Sequence, residues 1–218
     1  MGVLDETFRP VKFDYVHRLL GKQPQILDIG CGNHSPRVAK KWFPDCYYVG
    51  VDIQQYNNDD RDIALLDDFV LVGADGSGYG EIPNESFDFV VMNHVVEHMA
   101  DAVKVVAEIC RKIRRGGIIW IAFPSIKSLS FPSAAPGTLH FCDDDTHIRA
   151  VDVKEIANIL LQNEVKIIHA GRSRNLPRFL VGLGMLPVAL VSRVLTGRMS
   201  RGLWYVLGFE DHVLGLRR

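Results

Sequence analysis

Gln25-Ile26-Leu27-Asp28-Ile29-Gly30-Cys31-Gly32-Asn33 is the stretch on which the reading of this chain turns. A short apolar run carrying an acid and then breaking into two glycines describes a buried strand that bends sharply into a helix. Glycine accepts the positive-φ conformations such a bend needs. Ser35 and Pro36 follow as the expected N-cap and first helical residue. A glycine turn between a strand and a helix lets a ligand come close to the backbone, and the helix N-terminus offers free N–H groups to a polar or anionic group.

Working outward, residues 11–20 have helical apolar spacing and lead into this first strand. Residues 36–43 read as a helix stopped by Pro44, 46–52 as a second strand ending on Asp52, 59–67 as a short helix and 69–74 as a third strand. A loop rich in Gly, Pro and Asn covers 76–85, a fourth strand 87–92, an amphipathic helix 101–115 closed by Gly116-Gly117, and a fifth strand 118–123. A helix over 152–162, a sixth strand over 165–170 and a seventh over 209–216 complete the pattern, with 176–207 as a helical insertion. Alternation of this kind predicts an α/β fold, a doubly wound and mostly parallel seven-stranded sheet in one domain spanning 1–218. Ligands in such folds sit beyond the carboxyl ends of the strands. That rule gathers residues 30–35, 52–55, 74–80 and 93–98, together with the loop 124–150, which is long enough to expect a function.

The 218 residues fit one substantial core, and 47 % of them are apolar. A net charge of -1 carries no nucleic-acid signature. The charge is uneven, since residues 172–218 hold eight arginines and two acids, about +6. Cys31, Cys46, Cys110 and Cys142 form no CxxC pair, which points to reduced thiols in a cytoplasmic protein. Residues 1–10 contain no apolar stretch of the secretory kind. The longest apolar run, 179–191, is interrupted by Gly182, Gly184 and Pro187 and reads as too short to span a bilayer, which takes roughly 20 residues.

Asp52 lies 20 residues beyond Gly32 at a strand end, where a carboxylate can accept both hydroxyls of a ribose. A nicotinamide-binding fold has the same two features, but the third glycine of its fingerprint is missing, with Ser35 near that place. With these residues in view the chain resembles the class I S-adenosylmethionine-dependent methyltransferases. Ile26-Leu27-Asp28-Ile29-Gly30-Cys31-Gly32 is similar to their first motif, Gly50-Val51-Asp52-Ile53 to the second and Gly73-Ala74-Asp75-Gly76 to the adenine-contacting segment. Ser86-Phe87-Asp88-Phe89-Val90 with Asn93-His94-Val95-Val96-Glu97-His98 is similar to the fourth-strand motif, and Arg115-Gly116-Gly117 completes the set.

The resemblance implies S-adenosyl-L-methionine as cofactor. Gly30, Cys31 and Gly32 then face its methionine part, Asp28 its amino group, Asp52 with Ile53 its ribose, Ala74 with Asp75 its adenine, and Asn93 with His94 line the methyl side. Methyl transfer from a sulfonium is a direct displacement that depends on alignment and exclusion of water. A general base helps with some acceptors, and His98, His140, Asp143 and His147 are the candidates, with His140 and then His98 preferred. Residues 94, 97 and 98 share one helix face and could ligate a metal, as inverted zinc peptidases do with this spelling, and some methyltransferases hold a divalent ion on a similar acid-histidine helix. The expectation from context is no metal, with the acids around His140 and His147 capping the following helix and solvating their loop.

The expected function is methyl transfer to a small-molecule or lipid-like acceptor, with no nucleic-acid partner. The alternatives are a catalytically silent cofactor-binding scaffold and a nicotinamide-dependent oxidoreductase. Residues 176–207 are expected to cover the sheet edge as a lid. A sharper reading leans them on an anionic membrane through Arg178, Arg193, Arg198 and Arg201.

Overall fold

The computed structural model describes residues 8–131, 137–199 and 203–218. Its elements run α1 (Val11–Val16), β1 (Gln25–Ile29), α2 (Ser35–Trp42), β2 (Tyr47–Asp52), α3 (Asp60–Ile63), β3 (Asp68–Leu71), β4 (Phe87–Asn93) and α4 (Ala102–Cys110), then β5 (Ile113–Pro124), α5 (Val153–Gln162), β6 (Val165–Arg172), α6 (Leu176–Thr196), α7 (Trp204–Leu207) and β7 (Glu210–Arg217). Single 3-10 turns lie at Tyr79–Glu81, Val96–His98, Ile126–Ser130 and Phe141–Asp143.

The strands form one sheet in the order β3-β2-β1-β4-β5-β7-β6. Pairing is parallel from β3 to β5, and β7 runs antiparallel between β5 and β6. The chain therefore reverses its winding between β1 and β4, and a crevice opens there beyond the strand ends. Strand alternation feeds two apolar layers. Leu27 and Ile29 of β1 join Val90, Met92, Ile119 and Ile121 under α4 and α5. Ile26 joins Tyr48, Phe89, Val91 and Trp120 under α1 and α2. A smaller cluster, Leu139, Ala189, Leu203 and Phe209, lies beneath α6 and α7.

Several boundaries differ from those expected, each for a local reason. Ser35 is the first residue of α2, and His34 caps it in a left-handed conformation, φ 62°. The helix expected over 101–115 ends at Cys110 because Ile113 already pairs with Phe87 at the start of β5. Arg114 to Gly117 then bulge out before Ile118 meets Phe89. A side chain at Gly117 would meet the carbonyl oxygens of Phe87 and Arg114 at 2.8 and 2.9 Å, so the bulge requires glycine there. The third strand stops at Leu71, leaving Ala74 and Asp75 in a turn closed by Gly76 N–H donating to the Gly73 carbonyl. Asp152, not the acids near His140, caps α5.

The largest departure is α6. Its glycines and Pro187 do not interrupt it, and its 21 residues are long and apolar enough to cross a membrane by length and composition. Asn175 caps its start by accepting from Arg178 N–H, and Gly197, at φ +73°, ends it. Arg178, expected to face lipid, is buried and donates to the Phe8 carbonyl. Arg193 donates to the Gly197 carbonyl, Arg198 packs against Gly137, and Arg201 lies outside the described residues.

Candidate active site at the crevice

The glycine turn is built from both sides. Gly30 N–H and Cys31 N–H both donate to the Val51 carbonyl, tying the end of β1 to β2. Gly30 has φ +76°, and a Cβ there would lie 2.4 Å from a Val95 methyl group. A Cβ on Gly32 would lie 2.6 Å from the Tyr56 carbonyl. Both positions therefore exclude side chains, which leaves peptide groups facing the crevice. Cys31 turns its thiol inward against Gly50 and Leu66, and burial pushes that thiol well up. Its contribution at the crevice is confined to its backbone.

The segment after β2 clamps the turn from outside. Asn33 N–H donates to the Tyr56 carbonyl and His34 N–H to Asn58 Oδ1. His34 Nδ1 lies 2.5 Å from Asp62, which is fully buried, and Arg37 bridges Asp59 and Asp62. Asp59 and Asp62 form a reciprocal capping box on α3, so the acids here hold a loop in place.

Asp28, expected to hold the cofactor's amino group, is instead 1 % exposed and lies on the face of β1 toward α1 and α2, its carboxylate taken up by side chains of the protein. Its Oδ2 accepts from Ser35 Oγ at 2.5 Å and Tyr48 Oη at 2.7 Å, with Lys12 Nζ at 3.6 Å. Neither Tyr48 nor Lys12 was singled out in the sequence, where an aromatic strand residue and a lysine before a glycine turn carry no special signal. Asp52 closes the opposite side. It accepts Ile53 N–H at 2.8 Å, and partial burial raises its pKa even though backbone N–H groups of Ile53, Gln54 and Gly32 pull the other way. Ile53 is exposed beside it. Asp75 is exposed and folds back onto its own turn, where the Ser77 hydroxyl and then the Ser77 N–H, at 3.0 Å, hold its carboxyl below the usual range.

At the end of β4, Asn93 is half-buried and His94 stands at φ +58°. His94 Nδ1 lies 3.2 Å from Glu97 Oε1, and Nε2 lies 3.0 Å from Glu210 Oε2. Burial alone would lower this imidazole's pKa, but the two carboxylates outweigh it and push it up to about 10. Glu210, correspondingly, stays below its usual range despite burial, because His94 bonds to it. Trp204 of α7 meets the His94 ring edge-on at 6.0 Å. Glu210 and Trp204 were missed in the sequence, for they lie more than 100 residues from His94.

The base candidates fall in the loop before α5, except His98, which closes the 3-10 turn after β4. His140 accepts Cys142 N–H on Nδ1, and its Nε2 lies 2.9 Å from the Leu129 carbonyl. With both ring nitrogens committed to the backbone, the preferred base has no lone pair to offer. His98 is exposed, with Nδ1 at 3.0 Å from the Thr146 carbonyl, and its ring lies 4.8 Å from that of His147. Asp143 accepts Leu139 N–H, holding its own loop.

Residues 27–121 match the family model described as a methyltransferase domain. The chain is 31 % identical over 109 residues to 27-O-demethylrifamycin SV methyltransferase of Amycolatopsis mediterranei, covering 46 % of this chain and 40 % of that protein. It spans less than half the length of the curated relatives it matches. Among solved structures it resembles a SAM-dependent methyltransferase of Archaeoglobus fulgidus, with TM-score 0.58, 18 % identity, and 99 % of this chain and 98 % of that one covered. It also resembles 1,6-didemethyltoxoflavin-N1-methyltransferase of Burkholderia thailandensis, with TM-score 0.59, 14 % identity, and 96 % and 77 % covered.

Proposed function

We propose that the chain is a class I S-adenosylmethionine-dependent methyltransferase that transfers a methyl group to a small-molecule or lipid-like acceptor, on the strength of the matched methyltransferase domain and the shared fold. The observation that carries this reading is the crevice at the β1/β4 reversal. There two glycines bare the backbone, and Asp52 presents a partly buried carboxylate whose pKa is raised. A carboxylate so placed suits the paired hydroxyls of a ribose. When bound, S-adenosyl-L-methionine supplies the activated methyl group.

The chain's own residues then divide the work. The peptide groups of Gly30, Cys31 and Gly32 receive the methionine part, Asp52 and Ile53 the ribose, and Ala74 and Asp75 the adenine side. Asp28, bonded to Ser35 and Tyr48, sets the shape of the turn and the charge behind it. Asn93 and the charged ring of His94 bound the methyl side, where Trp204 stands edge-on to the His94 ring. A protonated His94 cannot serve as base and His140 is committed, so transfer relies on alignment, and His98 and His147 are the remaining candidates for taking a proton.

Acceptor choice falls to the residues around the apolar cluster that Phe131, Leu139, Trp204 and Phe209 pack beneath α6 and α7. The rifamycin and toxoflavin methyltransferases are named for small molecules, which supports an acceptor of that kind. The lipid-like alternative draws on α6, whose Leu176, Val188, Val194 and Leu195 are 69, 68, 84 and 77 % exposed. An apolar helix of 21 residues, about 31 Å long, offers a face that can lie in a membrane surface. Four free cysteines, three of them buried, agree with a cytoplasmic location.

Titration calorimetry with S-adenosylmethionine, S-adenosylhomocysteine and NADH on the wild type and Asp52→Ala tests the proposal. Binding of the first two, none of the third and loss in the variant is the expected result. Binding of NADH alone would overturn it, and cofactor binding without transfer across an acceptor screen would favour a silent scaffold.

A further inference from the structure

We propose that Glu97, His98 and His147 form a binding site for a divalent transition-metal ion, zinc or cobalt by its donor set. The three residues offer ligand atoms that all lie within 4.8 Å of one another. They come from two separate segments, the 3-10 turn after β4 and the loop before α5. The segments are joined where Ile148 N–H and Arg149 N–H donate to the Glu97 carbonyl.

The polar atoms at this point are disposed for a cation. Glu97 is fully buried, its Oε1 meets His94, and its Oε2 has no hydrogen-bond partner among the described residues. A buried carboxylate oxygen left unpaired is costly, and a metal ion is one of the few groups that relieve it. His147 lies 2.7 Å from the Phe141 carbonyl through Nδ1, and His98 lies 3.0 Å from the Thr146 carbonyl through Nδ1. A carbonyl accepts only, so each Nδ1 carries a proton, and Nε2 is the ring atom that each histidine has left to offer a metal ion. Backbone fixing of one ring nitrogen to free the other is how metal-binding histidines are oriented.

His147 Nε2 faces Glu97 Oε1 and Asp144 Oδ2, each at 3.9 Å. That is too far for a hydrogen bond, so a proton on Nε2 would satisfy neither carboxylate, whereas an ion placed between them could reach both. Asp144 uses its Oδ1 on Thr146, which leaves Oδ2 as a possible fourth ligand. Four donors around a tetrahedral ion stand about 3.5 Å apart, so the exposed His98 ring needs only a small rotation. Two imidazoles with carboxylate select zinc or cobalt over calcium or magnesium.

The other acid-histidine cluster, His34, Asp59 and Asp62, does not qualify. Arg37 already neutralises both of its acids, and they close on each other as a capping box. On the methyltransferase reading, an ion at Glu97 would stand beside the methyl side of the crevice and could hold an oxygen or nitrogen of the acceptor. The binding claim does not depend on that reading.

The test is calorimetric titration of the metal-stripped full chain with Zn2+, and visible absorption with Co2+. The proteins are wild type, His98→Ala, His147→Ala, Glu97→Gln and Cys142→Ser, each checked for folding by circular dichroism. One ion per chain is expected, with affinity reduced at least tenfold in His98→Ala and about a hundredfold in His147→Ala, and unchanged in Cys142→Ser. His98 is exposed, so its variant keeps the test valid if the buried Glu97→Gln fails to fold. No stoichiometric binding by the folded wild type would overturn the proposal, as would undiminished binding in both histidine variants. S-adenosylhomocysteine titrated separately into the same samples distinguishes failure of this site from failure of the cofactor reading.

Discussion

His94 at the end of β4 and Glu210 at the start of β7 are 116 residues apart in the chain and 3.0 Å apart in space. With Glu97 on the other ring nitrogen, the imidazolium links two buried carboxylates across the mouth of the crevice. Removing it in His94→Ala leaves both acids without their cation. A loss of about 2–4 kcal/mol in urea denaturation is expected, well beyond what truncating a half-exposed side chain costs.

Gly30→Ala places a methyl group on a residue at φ +76° and 2.4 Å from Val95. The substitution should cost about 2–4 kcal/mol and weaken S-adenosylhomocysteine binding together. Calorimetry and thermal unfolding on the same sample check both, and a variant as stable as wild type would refute the tight turn.

Tyr48→Phe removes one buried donor from Asp28 while Ser35 and Lys12 remain. Equilibrium unfolding should show a loss of about 1–2 kcal/mol. Binding should weaken less than in Asp52→Ala, because Tyr48 acts behind the turn.

His212 predicts the acid limb of stability. Its ring is fully buried and stacked on Trp120 at 4.1 Å, with Nε2 2.8 Å from His169 Nδ1 and Nδ1 3.0 Å from Ser173 Oγ, and with Tyr15 and Glu210 beside it. Burial, then the neighbouring His169, pulls its pKa from 6.5 down to about 4. Between those values the unfolded chain takes up a proton that the folded chain refuses. The contribution is whole above about pH 6.5 and falls away toward pH 4, about 3 kcal/mol in all. Urea melts of wild type and His212→Asn at pH 7, 6, 5 and 4.5 should show a shallower slope in the variant.

The exposed face of α6 predicts cosedimentation with anionic liposomes, lost in a Val191→Glu, Leu195→Glu double variant. Absence of binding at low salt would remove the membrane arm of the acceptor proposal.

How far the sequence could be read depended on the range of the interactions concerned. The turn at Gly30 and Gly32, the acid at the end of β2 and the strand pattern were legible because they are local consequences of backbone freedom and period. Arg114 and Arg115 were misassigned to a helix because a polar bulge in a strand looks like a helix end. Gly182, Gly184 and Pro187 were read as interruptions of an apolar run, yet the helix α6 carries all three inside it. His140 read as a free base, since nothing local shows that Leu129 takes its other nitrogen. Tyr48 and Glu210 matter through partners far along the chain, and no spacing rule reaches them.

The antiparallel seat of β7 also fixes the order in which the molecule can be completed during synthesis. β5 and β6 do not touch each other, and both await a strand translated after them. A ribosome-bound chain stopped before Glu210 can already hold the glycine turn and Asp52. It still exposes two unpaired strand edges and leaves His94 with one of its two acids. The nascent chain is therefore most prone to aggregate just before the crevice gains its final wall.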